Sequence, residues 1–147
     1  MEGRTKTDSR ILIARYTANA SGVVPAFNSG YQYTKNETVS NGIYTVEIKS
    51  ENDFTSCSFN VKSKSNLLTV EYLKVTDKVT SMSNMFISCS SLTRLYASNW
   101  DTGNVTDMGY MFYQCYQLAQ LDTSNWDVSK VTNMHNIYSA IALHLLI

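Results

Sequence analysis

Cys89 and Cys115 stand 26 residues apart in the same local setting, and a thiol pair so placed could close a disulfide or join a metal shell. Neither chemistry is expected here. The third cysteine, Cys57, leaves the count odd, and no second pair of Cys or His stands at ligand spacing, so a zinc shell has no complete donor set. The thiols read as a ladder of small buried hydrophobes. Met82, Met108 and Met134, with Met85 and Met111, recur at the same period and could form a soft-metal strip, but their periodicity places them in a core. His135 and His144 have no Ser, Cys or carboxylate neighbour in a nucleophile, elbow or phosphate-loop setting. Asp101 and Asp127 repeat as turn residues that accept backbone N–H bonds, and Asn99 and Asn125 as amides that satisfy backbone groups at a turn. Trp100 and Trp126 are expected to stack as packed cover over that turn. The expected protein is not an enzyme and carries no metal and no cofactor.

These residues recur because the C-terminal half repeats. Residues 79–104 align with residues 105–130 without a gap, with identities at Val79/Val105, Met82/Met108, Phe86/Phe112, Cys89/Cys115, Leu92/Leu118 and Leu95/Leu121, and over the block SNWD. A third, decaying copy fills 131–147. A period of 20 to 29 residues with the spacing L-x-x-L-x-(small)-x-N is the signature of leucine-rich coils, each of which buries its apolar face only by stacking. Leu95, Ala97, Leu121 and Thr123 alternate with Arg94, Tyr96, Ser98, Gln120, Asp122 and Ser124, which predicts a strand with one buried face. Apolar residues at i, i+3, i+4 and i+7 over 82–89 and 108–115 predict a short helix. Each coil is expected to be strand, turn and short helix.

The stretches SNWDTGNVTDMGYMFYQC and SNWDVSKVTNM make residues 79–138 resemble the BspA-like leucine-rich repeat proteins of bacterial surfaces. What the resemblance implies is a surface or secreted adhesion and protein-binding role. Similar repeats also occur in proteins of gut bacteria and of their mobile elements and phages. No enzymatic activity comes with the resemblance.

The N-terminal half has a different texture. Candidate strands at 11–17, 31–34, 43–49, 57–62 and 67–75 are separated by turn-rich stretches such as Asn36-Glu-Thr and Ser40-Asn-Gly42, which predicts an antiparallel β region capping the open end of the coils. The expected organisation is a flexible terminus over 1–10, the β cap over 11–75 and the coils over 76–147, an α+β, β-rich fold. The run Ile11-Leu12-Ile13-Ala14 is too short for a secretory h-region or a membrane span. Twelve basic and twelve acidic residues cancel, so no long-range field draws the chain to nucleic acid or an anionic membrane.

The expected function is binding. Arg94, Tyr96, Ser98, Gln120, Asp122 and Ser124 would form a small ribbed surface for a protein or glycan on a host or neighbouring cell, with Arg94 and Tyr96 as anchors. The resemblance places such a module at the cell surface or outside the cell. A competing expectation is an assembly subunit of a virion or tail appendage. The apolar tail residues Ile141, Leu143, Leu145, Leu146 and Ile147 are expected to cover the last coil or to join copies of the chain into a homo-oligomer.

Overall fold

The structure, a computed structural model, describes residues 8–61, 64–119 and 121–137. Three long strands carry the frame. β1 (Ile11–Ala18), β4 (Ile43–Ser50) and β6 (Leu67–Leu73) are rich in β-branched and aromatic residues. They alternate inward Ile13, Tyr16, Ala18, Val46, Ile48, Leu67, Val70 and Leu73 with more exposed partners. β3 (Thr34–Ser40) joins β4 through Asn41-Gly42, whose φ values of 51° and 76° form the two-residue turn that matches the twist of a hairpin. β2 (Ala26–Phe27) and β5 (Cys57–Ser58) pair as a small separate ribbon, and β7 (Arg94–Leu95) completes the strands.

The main sheet has five strands in the order β3-β4-β1-β6-β7, antiparallel except for the parallel β6/β7 pair. The expected strand at 31–34 and turn at 36–38 are corrected by β3. TKNETVS is polar enough to read as a loop, but it lies at the sheet edge, where charged side chains are tolerated and discourage further pairing.

The expectation of a leucine-rich solenoid with a strand and a short helix in each 26-residue coil is contradicted. The molecule is a sheet-rich domain, and its helical content among the described residues is one 3-10 turn, Lys64–Asn66. Residues 82–89 and 108–115 are turns. Asn84, Ser88, Tyr110 and Gln114 sit at φ values of 61°, 61°, 57° and 63°, a left-handed conformation that interrupts an α-helix every four residues. Every second N–H group bonds sideways instead, while Met85, Ile87 and Cys89 close local turns onto Met82, Asn84 and Phe86. Met82, Asn84, Phe86 and Ser88 donate to the carbonyls of Asp107, Gly109, Met111 and Tyr113, and Met108 and Tyr110 donate to Asn133 and His135. Parallel bridges join Ser81 to Asp107 and Asp107 to Asn133 at one position in each sequence unit. Among the described residues, the first unit alone contributes a strand to the sheet, through β7.

The interior is one hydrophobic cluster shared by the sheet and the turn-rich units. Phe59, Phe86 and Phe112 form a column of parallel rings with centroids 5.4 Å and 5.9 Å apart. Phe59 lies upstream of the sequence repeat, and its N–H donates to Met85 at 2.7 Å, while Tyr96 and Asp101 donate to Val70 and Val75. The segment between β5 and residue 75 therefore offers the first unit the surface on which it packs.

Candidate binding face

Arg94, Tyr96 and Ser98 are exposed while Leu95 and Ala97 are buried, so the alternation expected of a one-faced strand holds here. Pairing with β6 fixes its direction. Thr69 stands beside Arg94 and Val70 beside Leu95, and Leu95 continues the apolar inner face of the sheet. Arg94 and Tyr96, two residues apart on one face, then meet: the guanidinium carbon lies 5.8 Å from the Tyr96 ring centroid, and Nη1 donates to the phenolic oxygen at 3.3 Å. An aromatic shelf that holds an arginine in place lowers the entropy lost when either residue is bound. Tyr96 remains half exposed, at 50%.

The second unit reproduces part of this. Asp122 and Ser124 are exposed, and Asp122 Oδ1 accepts the Ser124 N–H at 3.0 Å and its hydroxyl at 2.6 Å. The Ser124 hydroxyl, and then its N–H, hold the Asp122 carboxyl below the usual range. Asp122 is thus a fixed, ionised acceptor about one unit away from the Arg94–Tyr96 pair. Gln120 lies outside the described residues, as do His144 and the tail residues Ile141, Leu143, Leu145, Leu146 and Ile147.

On the same outer side of the sheet, Arg15 of β1 donates through Nε to Glu47 of β4 at 3.0 Å, and Glu71 of β6 adds to the acidic field around it. Sequence reading missed this extension. Arg15 and Glu47 belong to strands 32 residues apart, and nothing local shows that they face each other.

Several of the residues considered for chemistry hold turns or pack in the interior. Asp101 and Asp127 accept the N–H groups of Gly103 and Ser129 at 3.1 Å and 2.9 Å, as turn residues do. The Asn125 amide donates to Ser98 O at 3.1 Å. The indoles of Trp100 and Trp126 stack 5.5 Å apart at 9°, both buried. Among the described residues no group of three or more His, Cys, Asp or Glu is arranged to hold a metal ion.

All three cysteines are free and buried. Cys115 Sγ donates to Phe86 O at 3.0 Å, and Cys89 Sγ approaches Phe59 O at 3.8 Å, so each thiol reaches back to a residue of the Phe column. Burial pushes both Cys89 and Cys115 up to about 12 and raises Cys57 as well. Thiolate is the reactive form, so native-state labelling by an alkylating reagent near neutral pH should be slow at all three and fast after unfolding. Mass spectrometry after timed labelling would check this, and rapid native modification of Cys89 and Cys115 together would contradict their burial.

A family model described as "Mycoplasma protein of unknown function, DUF285" matches residues 52–144. The match begins upstream of the sequence repeat and takes in β5 and β6, the segment on which the first unit packs. No curated protein and no solved structure matches the chain.

Proposed function

Since the chain belongs to this family, described as Mycoplasma protein of unknown function, DUF285, and presents one pre-arranged arginine–tyrosine pair on its sheet, we propose that it is a non-catalytic binding module. Its recognition face is the outward side of β6 and β7, continued by Asp122 and Ser124. The partner is a protein at a cell surface. The observation that carries the reading is the Arg94–Tyr96 contact. The two side chains hold each other in place, they bear no role in the core, and they combine two of the three residue types enriched as anchors of protein interfaces. Asp122 supplies a nearby negative charge, so the face offers a basic, an aromatic and an acidic group to a partner. The resemblance of residues 79–138 to bacterial surface adhesins supports the same reading and an extracellular or cell-surface location.

The test uses the full chain, fluorescently labelled and multimerised, on cultured epithelial cells. Trypsin-sensitive binding is expected for the wild type, with a loss of roughly ten-fold or more in Arg94→Ala and Tyr96→Ala, since anchor truncation costs about 1–2 kcal/mol or more. Full binding by a folded Arg94→Ala, Tyr96→Ala double variant would contradict the proposed face.

A second reading, an assembly subunit of a virion or surface appendage, is favoured by one observation. Core positions buried in the first unit are only half-buried further along the chain: Leu95 and Val79 are closed off, whereas Leu121, Val131 and Met134 are partly exposed. On this reading the half-buried face of Leu121, Val131 and Met134 joins copies of the chain, and light scattering would return a stable homo-oligomer.

A further inference from the structure

β3 stands at the end of the sheet order, so it pairs with β4 on one side and, among the described residues, has no strand on the other. It runs against β4 without a bulge and is exposed at every residue but Glu37, which is half-buried. The two-residue turn at Asn41-Gly42 makes Ser40 and Ile43 the closing hydrogen-bonded pair of the hairpin, and such pairs alternate along an antiparallel ladder. Ser40, Thr38, Asn36 and Thr34 therefore spend their backbone groups on β4. Val39, Glu37 and Lys35 turn theirs outward, where among the described residues no other backbone group meets them.

The side chains along this edge are complementary to themselves. Lys35, Glu37 and Val39 stand beside Ile48, Val46 and Tyr44, so they share the sheet face that carries the core, while Thr34, Asn36, Thr38 and Ser40 share the outer face. Glu37 is fixed in place. Its carboxylate accepts the Gly22 N–H at 3.0 Å and the Ser21 hydroxyl at 2.8 Å, one on each oxygen, and each oxygen keeps a further lone pair. Lys35 makes no ion pair among the described residues. An exposed apolar residue lies toward each end of the edge. Val39 is 58% exposed, and Tyr33, just before β3, is 39% exposed with its ring held by Phe27 and Tyr31 at centroid distances of 5.1 Å and 6.1 Å.

We propose that β3 is a dimerisation edge whose partner is β3 of a second copy of the chain, antiparallel, in the register that sets Asn36 opposite Asn36 of that copy. The two-fold symmetry then places each Lys35 opposite a Glu37 of the other copy, and these are residues whose backbone groups point outward, so each pair exchanges backbone hydrogen bonds as well. Tyr33 and Val39 meet in the same register, an aromatic against a β-branched side chain, and the Asn36 amides, each both donor and acceptor, meet on the outer face. Neighbouring registers are excluded. A slip of one residue presents backbone groups already spent on β4, and a slip of two sets Glu37 against Glu37 in one direction and Lys35 against Lys35 in the other. The charges that guard this edge against indiscriminate pairing thus leave one register open. β7 lies at the opposite end of the sheet, so the pairing does not depend on the recognition face proposed above and gives the dimer two copies of it.

Sedimentation equilibrium of the full chain over a concentration series tests the pairing. The wild type should form a dimer in reversible exchange with monomer. Lys35→Glu sets like charges opposite each other at both symmetric positions, so it should weaken association roughly ten-fold or more while its circular dichroism stays native. Glu37→Lys should do the same. An equal mixture of the two single variants should form a heterodimer more tightly than either forms a homodimer, because every facing pair is again of unlike charge. Leu121→Ser, on the half-buried face at the other end of the chain, should leave the dimer intact. The proposal is overturned if the wild type is monomeric throughout, if Lys35→Glu associates as tightly as the wild type, if the two folded single variants form no heterodimer, or if Leu121→Ser dissociates the dimer.

Discussion

Leu95→Asp should unfold the protein, whereas Tyr96→Asp, one residue further on, should leave it folded. Leu95 is 3% exposed and pairs through β7 with Val70 of β6, itself fully buried on the sheet's inner face. A carboxylate there has no cationic partner and must be desolvated, which costs several kcal/mol even after it takes up a proton. Against a total stability of about 5–15 kcal/mol for a domain, that loss is enough to populate the unfolded state. Tyr96 is half exposed and points to the opposite side, so a carboxylate at that position stays hydrated. Circular dichroism and thermal melting of the two variants would check the difference. Equal destabilisation by both would show that β7 is in the wrong register.

Phe86→Ala should be the most damaging large-to-small change in the turn-rich half. Phe86 is fully buried between Phe59 and Phe112, with ring centroids 5.4 Å and 5.9 Å away, and lies parallel to Trp100 at 6.4 Å. Its removal leaves a cavity lined by rings that belong to the sheet side, to its own unit and to the next one. They cannot all collapse inward at once, because the backbone hydrogen bonds between units hold their spacing. The expected cost is about 3–5 kcal/mol, and the expected fall in melting temperature by calorimetry is roughly 10–20 °C. Among the described residues, the ring that Phe112 meets in the column is Phe86. A Phe86→Ala variant no less stable than Tyr116→Ala would contradict the column as the element that joins the units.

The parts of this structure that were legible in the sequence are those with local strand signals. β4 and β6 announce themselves by β-branched and aromatic residues, all three long strands lie between polar turn-rich stretches, and Asn41-Gly42 marks the hairpin between β3 and β4. Arg94 to Ser98 alternates in the same way, so the exposed anchors could be named before any coordinates. The burial of Cys89 and Cys115 and the stacking of the tryptophans followed from the 26-residue period.

The helical reading of 82–89 failed for a physical reason. Tight turns that point every third or fourth side chain inward give the same apolar spacing as a helix. What separates them is where the N–H groups bond, and here alternate ones reach the next unit. One signal was present in the sequence: Asn84, Ser88 and Gln114 are polar residues within an apolar run, at positions that adopt left-handed backbone. The upstream packing surface was hidden because Phe59 lies 27 residues before Phe86 and lacks the preceding methionines and the cysteine three residues after it. β3 was hidden by its polarity, since an edge strand needs no apolar face.

The proposed recognition face is tested most directly by hydroxyl-radical footprinting of the tyrosines on cells that bind the chain. Tyr96 and Tyr116 are both well exposed in the free protein and should both be oxidised there. On trypsin-sensitive sites, Tyr96 should become protected while Tyr116 stays reactive. Protection of Tyr116 with Tyr96 unchanged would place the partner elsewhere and contradict the β6–β7 face.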